Sequence, residues 1–323
     1  MPEPTVQPDE RSELLSDVAE MYYEDGLTQS EIADTVGVTR SAISRMLTEA
    51  RERGIVEIRI IRPLRFDSAL ESALSERFDI PSIHVLKWTQ RDQIEVLRNR
   101  LGKAAARKLE EILKPNITIG VPWGTTVTAT IEALEVNAFS GARVVQLIGV
   151  LGSSSHAYNG QALVEQLARK LGGEAVYLYT PGIVENADMA RALLNNPDIR
   201  QAIEVGRACD IALLGVGTTD PDFSSLYLGG HISQEDLTYL RANGAVGDIS
   251  GYFFDRNGEL LDIEFHDRLV GISAEDLLRI PTRIGMAGGP TKAEALLGAL
   301  RSQFINILIT DSLTAEEILE LDS

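Results

Sequence analysis

TQSEIADTVGVTRSAISRMLTEARER, residues 28–53, has the spacing of two short helices joined by a tight turn. Thr28 is placed to cap the first helix, with Glu31 three residues later completing a capping box, and Ile32, Ala33 and Val36 form its buried face. Gly37 takes the turn, where a left-handed backbone is favoured, and the small Ala33 lets the helices approach closely. Thr39 caps the second helix, in which Ile43, Met46 and Leu47 fall at i, i+3 and i+4. Arg40, Ser41, Ser44 and Arg45 are left on the opposite face, the arrangement of a helix-turn-helix whose second helix reads DNA. The expected DNA-contacting set is these four with Thr28, Gln29 and Thr39 at the helix starts. An ordinary antiparallel helix pair is the bland alternative, but it does not require caps, alanine, glycine and a polar face together. The run IVEIRII after Gly54 reads as a short wing or exit strand.

Composition bounds the remainder. A chain of 323 residues is too long for one DNA-reading module, and 44% hydrophobic residues are ample for a sizeable core in a second domain. The stretch MPEPTVQPDERSE has no apolar segment of a signal peptide, and no apolar run approaches a membrane span of roughly 20 residues, so a cytoplasmic protein is expected. A single cysteine, Cys209 in RACDIALLGVG, excludes an intramolecular disulfide and a cysteine-rich metal site; no metal or cofactor is expected. The net charge of -18 opposes nucleic acid in general, yet Thr39 to Arg53 carries four arginines (Arg40, Arg45, Arg51, Arg53) against Glu49 and Glu52. A locally basic helix in an acidic chain directs DNA to one face and repels it from the others.

A boundary is expected at Arg62-Pro63, dividing a DNA-binding domain (1–62) from a larger domain (63–323). Phe66 to Phe78 has helical leucine spacing. Beyond it, apolar strand candidates lie at 83–86, 117–121, 144–150, 175–179, 211–216, 245–254, 283–286 and 304–309. Helical patterns at 92–113, 126–134, 161–171 and 292–300 separate many of them, the rhythm of an α/β fold with a largely parallel sheet.

Ligands of such folds sit beyond the carboxyl ends of the strands, and three strand ends here are rich in glycine. In ITIGVPWGTTVTATIEAL a helix starting at Thr125 or Thr126, after Gly124, offers free backbone N–H groups and two hydroxyls to an anion; no Gly-Lys-Ser/Thr follows, so it is not a Walker A loop. In GVLGSSSHAYNGQALVEQLARKLGG, Gly152, Ser153 and Ser154 follow a strand and Gln161 begins a helix; His156 has no partner that marks it as acid, base or metal ligand and reads as a loop histidine. The third group combines GVGTT, GAVGDISGYFFD and GMAGGPTKAEALLGAL. There Lys292 opens a helix after Gly288-Gly289-Pro290, where ammonium and helix terminus attract the same anion.

Taken together, TQSEIADTVGVTRSAISRML, GVPWGTTV, GAVGDISGYFFD and AGGPTKAEALLGAL, in that order, resemble the SorC type of sugar-binding, DeoR-like bacterial transcriptional regulators over residues 12–321. The resemblance implies an N-terminal (winged) helix-turn-helix and a C-terminal Rossmann-like domain similar to glucosamine-6-phosphate deaminase and ribose-5-phosphate isomerase. It implies an effector pocket made of Gly124, Thr125, Thr126, Gly152, Ser153, Gln161, Asp248 and Lys292. Where some members that bind doubly phosphorylated sugars have arginine and two glycines, this chain has Leu151-Gly152-Ser153, so a monophosphorylated sugar or polyol is expected, with Asp248 facing hydroxyls. The expectation is a homo-oligomeric regulator whose operator binding responds to a sugar or sugar phosphate. The alternative is an active sugar-phosphate isomerase or deaminase fused to a DNA-binding module; the sequence shows no acid, base and nucleophile set for it.

Overall fold

The computed structural model describes residues 10–56, 63–89, 93–136, 138–151 and 159–323. They divide into two compact units, Met1–Pro63 and Leu64–Ser323.

The first unit packs helix α1 (Glu10–Tyr23) against α2 (Gln29–Val36) and α3 (Arg40–Glu52). Its core unites Leu15, Val18 and Ala19 of α1 with Ile32 and Ala33 of α2 and Ile43, Met46, Leu47 and Ala50 of α3. The capping box at Thr28–Glu31 forms as expected, Gly37 adopts φ 75°, and the Thr39 side chain accepts from the Ala42 N–H. Helix α1 was not anticipated, although Leu15, Val18 and Ala19 carry the i, i+3, i+4 spacing that seats it. Ile55 and Val56 continue beyond α3 without strand structure; the rest of the expected wing, 57–61, lies outside the described residues.

The second unit contains strands β1 (Ser82–Leu86), β2 (Thr118–Val121), β3 (Arg143–Gln146), β4 (Glu174–Val176), β5 (Ile211–Gly215), β6 (Gly217–Thr218), β7 (Gly247–Ile249), β8 (Tyr252–Phe254), β9 (Thr282–Met286) and β10 (Ile307–Asp311). Among the described residues, seven form one parallel sheet in the order β1-β10-β9-β5-β2-β3-β4, and β6-β7-β8 form a small antiparallel sheet. The intervening helices are α4 (Ser68–Phe78), α5 (Ile94–Ile112), α6 (Thr125–Ala133), α7 (Gly160–Leu171), α8 (Ala187–Leu194), α9 (Pro197–Arg207), α10 (Ser225–Leu228), α11 (Gln234–Ala242), α12 (Glu264–Asp267), α13 (Ala274–Arg279), α14 (Ala293–Arg301) and α15 (Ser312–Leu321).

The large sheet is covered on both faces, and the strands show why. Ile211 and Leu213 of β5 pack with α5, α6 and α7, while Ala212 and Leu214, pointing the other way, pack with α4, α9, α14 and α15. Ile307 and Ile309 of β10 likewise oppose Leu308. A strand apolar on both sides is the signature of a parallel sheet between helical layers.

Several elements depart from the sequence reading. The run 245–254 is a hairpin, not one strand: Ser250 at φ 54° and Gly251 at φ 86° reverse the chain between β7 and β8. The expected strand 144–150 ends at Gln146, and the last strand is shifted to Ile307–Asp311. Lys292 does not begin an α-helix; it ends a 3-10 turn, Pro290–Lys292, and caps α14. Cys209 is buried at 3% exposure, which pushes its thiol up to about 12 and leaves it an inert filler.

Helices α5 and α6 form the most intimate helical contact of this unit because Gly102 has no side chain. A Cβ there would lie 2.6 Å from the Ala129 carbonyl carbon and 2.7 Å from its Cβ. Gly102→Ala gains helix propensity but must push backbone apart, so urea unfolding should show a net loss of about 1–3 kcal/mol. An unchanged or raised midpoint would mean that α5 and α6 shift apart freely.

Candidate functional site

In the first unit, Arg40, Ser41, Ser44 and Arg45 are all exposed on α3, opposite the buried Ile43, Met46 and Leu47. Thr28 and Thr39 are exposed at the helix starts and Gln29 is half-buried. The Thr39 and Ser41 hydroxyls are 3.1 Å apart, and Arg45 Nε reaches back to the Ser41 carbonyl at 3.4 Å. The basic surplus of α3 is narrower than the sequence count suggests. Glu49 accepts from Arg11 of α1 at 2.5 Å and lies 2.8 Å from Arg53, so Arg53 is tied down at the far end of the helix. The charge at the start of α3 comes from Arg40 and Arg45.

In the second unit a cavity of about 540 Å³ opens beyond the carboxyl ends of β2, β5 and β9, the edge at which open parallel sheets bind ligands. Its first wall is the loop Pro122-Trp123-Gly124 and the start of α6. Gly124 caps α6 at φ 133° and ψ 149°, a backbone that side-chain-bearing residues avoid, and no side chain caps the helix. The Thr128 N–H and hydroxyl both donate to the Gly124 carbonyl at 2.9 Å. Among the described residues the N–H groups of the first turn and the Thr125 and Thr126 hydroxyls have no hydrogen-bond partner and are open to a ligand.

The second wall is built by the small sheet. Asp248 on β7 is 5% exposed and lies directly over Gly217 of β6, where a Cβ would come within 1.9 Å of its Oδ1. Only glycine leaves room for that carboxylate. Its Oδ2 accepts from the Gly251 N–H at 3.1 Å. Burial raises the Asp248 pKa to about 6 against the opposing pull of the Gly251 N–H and of Lys292. The Lys292 ammonium donates to the Val216 carbonyl at 3.2 Å; burial lowers its pKa to about 8, with Asp248 and Asp220 pulling it upward.

The third wall is held by a buried carboxylate. Asp311, at the end of β10, accepts from the Gly289 N–H at 2.8 Å through Oδ2, which also accepts from the Thr314 hydroxyl at 2.6 Å, while Oδ1 accepts from the Thr314 N–H. It joins the glycine loop after β9 to the start of α15 and so fixes the approach to Lys292.

The cavity thus brings together Gly124, Thr125, Thr126, Asp248 and Lys292 of the expected set. Gln161 is not among its lining residues: the backbone N–H of Gln161 bonds to the capping side chain of Asn159 at the start of α7. Gly152, Ser153 and His156 lie outside the described residues. Sequence reading missed Arg98 on α5, the half-buried His231 and the buried Ser250, all of which line the cavity. Desolvation lowers the pKa of His231, favouring a neutral ring. Among the described residues no cluster of His, Cys, Asp and Glu could hold a metal ion, and no helix is long and apolar enough to cross a membrane.

A helix-turn-helix in one unit and a sheet-edge cavity in the other are the two parts of a ligand-responsive DNA-binding regulator. Family comparison agrees: residues 62–320 match the family described as "Putative sugar-binding domain", and residues 13–67 match the Crp-like helix-turn-helix domain. The chain belongs to the SorC/DeoR-type sugar-binding transcriptional regulators. It is 33% identical over 312 residues to the transcriptional regulator LsrR of Enterobacter sp. (strain 638), covering 96% of this chain and 93% of that protein. It is 31% identical over 309 residues to the deoxyribonucleoside regulator of Bacillus subtilis (strain 168), covering 96% and 98%. The full-length sorbitol operon regulator SorC from Klebsiella pneumoniae superposes with a TM-score of 0.72 at 28% identity, covering 96% of this chain and all of that one.

The buried acid of the cavity has a consequence for stability. Because the folded-state pKa of Asp248 lies near 6, above its ordinary 3.8, the native state holds more protons than the unfolded chain between these values. Stability therefore falls as pH rises from about 4 to 6, and the cost of the buried charge is fully present above 6. Asp248→Asn should be more stable than the parent by on the order of 2–3 kcal/mol at pH 7, with the gap closing near pH 4. Denaturant unfolding at both pH values checks this; a pH-independent gap would deny that the carboxylate is ionised at a cost.

Proposed function

We propose that this protein binds a pseudo-palindromic operator as a homo-oligomer, through paired α3 helices, and that a monophosphorylated sugar or polyol in the cavity of the second unit controls that binding. The observation that carries the reading is the convergence of the uncapped α6 terminus, the Thr125 and Thr126 hydroxyls and the Lys292 ammonium on one cavity. These are anion-binding groups, and a phosphate fits them. Asp248, a buried acceptor beside them, suits sugar hydroxyls, because a carboxylate next to a phosphate dianion is repelled. Symmetry supports the oligomer: a two-fold pair of reading helices meets two half-sites with one protein surface. An operator-binding protein would act in the cytoplasm, where operator DNA is, and the strand-end cavity supports the expected likeness of the second unit to glucosamine-6-phosphate deaminase and ribose-5-phosphate isomerase.

One observation favours a second reading. Asp248 with a pKa of about 6, Lys292 with one of about 8, and His231 border one cavity, the kind of set that an isomerase or deaminase would use. Turnover assays with sugar phosphates and amino-sugar phosphates decide it; sustained product formation abolished by Asp248→Asn would establish an enzyme. The regulator reading stands first because the relatives named above are transcriptional regulators.

The two ends of the proposal separate by mutation. Arg45→Ala should weaken specific operator binding by about 1–3 kcal/mol if the guanidinium contacts a base edge, with a smaller effect on scrambled DNA. Unchanged affinity for both duplexes removes Arg45 from the interface. Lys292→Ala should leave operator binding without effector nearly intact while weakening effector binding about ten- to a hundredfold, the loss of a charge-assisted contact of roughly 1.5–3 kcal/mol. Titration calorimetry with a phosphorylated sugar and its dephosphorylated parent is the check. Equal affinity of mutant and wild type for the phosphorylated ligand contradicts the role of Lys292; equal wild-type affinity for both ligands contradicts the phosphate.

A further inference from the structure

Helix α5 presents Ile94, Leu97, Arg98 and Leu101 to the cavity, the i, i+3, i+4, i+7 stripe of one helical face. Three of the four are apolar. A cation in the middle of an apolar stripe is costly to keep unless something on the facing side takes its charge. Among the described residues Arg98 makes no hydrogen bond or ion pair, although it is only partly exposed and the carboxylates Asp222 and Asp248 line the same cavity. Its charge acts on Lys292 across the same cavity, disfavouring the protonated ammonium. Lys292 has Asp248 and Asp220 to offset its own charge, whereas among the described residues no carboxylate forms an ion pair with Arg98.

We propose that Arg98 is a second anion contact of the effector cavity and that it clamps a phosphate monoester together with Lys292 and the start of α6. The inference rests on the reading of this cavity as the effector site. The chemistry selects phosphate over carboxylate. A phosphate monoester at neutral pH carries between one and a half and two negative charges on three acceptor oxygens, enough to serve two cations and backbone N–H groups at once. A carboxylate has only two oxygens, too few to meet Lys292, the Arg98 fork and the α6 N–H groups at once. The guanidinium adds a planar fork that engages two phosphate oxygens, so the clamp orients the phosphate as well as holding it.

The test uses the full-length chain and titration calorimetry with three probes: inorganic phosphate, the tightest-binding member of a panel of three- to six-carbon sugar and polyol monophosphates, and its unphosphorylated parent. Arg98→Gln shortens the side chain, keeps it polar and removes its charge. It should weaken both phosphorylated probes about ten- to a hundredfold and leave the parent within twofold, while Arg98→Lys should recover at least threefold of the loss. Binding of inorganic phosphate alone to the clamp marks the free ion as a ligand; a much tighter sugar phosphate marks the ester. Phosphate affinities within twofold of wild type in Arg98→Gln, alongside a large loss in Lys292→Ala, would overturn the role of Arg98 and spare the cavity reading. A wild type that binds the parent as tightly as its phosphate would overturn both. Equal loss for phosphate and parent would make Arg98 a packing residue and also overturn the proposal.

Discussion

The cavity depends on one carboxylate that lies outside its lining. Asp311 is fully buried and binds the Gly289 N–H and both donors of Thr314, so that the end of β10, the loop after β9 and the start of α15 become one rigid corner. A buried charge is stable only when its oxygens are satisfied, and three hydrogen bonds do that here. Gly288 is part of the same constraint, since a Cβ there would stand 2.5 Å from the Asp311 Oδ2. The corner sets where the 3-10 turn Pro290–Lys292 begins and thereby brings the Lys292 ammonium to the Val216 carbonyl. The opposite side is fixed by a matching device, the Asp248 carboxylate lying over Gly217. Two glycines without side chains and two buried acids thus determine the shape of the site.

The electrostatics follow from this placement. The chain as a whole is strongly acidic, with a net charge of -18, and an anion approaching most of its surface is repelled. Two surfaces depart from that background. One is the start of α3, where Arg40 and Arg45 are exposed; the other is the cavity, which Lys292, Arg98 and the uncapped α6 terminus line together. Both anions that the protein is proposed to recognise, DNA phosphate and a sugar phosphate, meet cationic side chains there, which in the cavity stand beside the acids Asp222 and Asp248. Asp248 keeps the cavity from being uniformly positive and gives one side of a bound ligand a buried acceptor.

Much of the fold was legible because its signals are local. Ile43, Met46 and Leu47 mark the buried face of α3 directly, and the two-sided apolar runs of β5 and β10 mark a parallel sheet between helices. The signal fails where a conformation replaces a composition. GAVGDISGYFFD reads as one apolar run, yet Ser250 takes a left-handed φ and turns it into a hairpin, which no side-chain pattern announces. Lys292, Thr125 and Thr126 were legible because each adjoins a glycine-rich strand end. Arg98 was not, because periodicity tells which face of α5 is inward but not what lies across from it. Gln161 shows the reverse: it begins a helix after a strand, its backbone N–H is bonded to Asn159, and it stands outside the cavity lining.

Effector control requires more than two binding surfaces, because a ligand shifts operator affinity only if it binds the DNA-competent and DNA-incompetent states with different free energies. Thermodynamic linkage makes that condition measurable in either direction, since the factor by which effector changes operator affinity equals the factor by which operator changes effector affinity. The most direct test is calorimetric titration of the tightest-binding sugar phosphate into the protein alone and into the protein saturated with an operator duplex selected from random DNA. The account predicts affinities that differ by at least about fivefold, with the same factor recovered when operator is titrated with and without effector. Equal affinities in the two titrations would contradict it, leaving a DNA-binding domain and a sugar-phosphate site that share a chain without sharing a function.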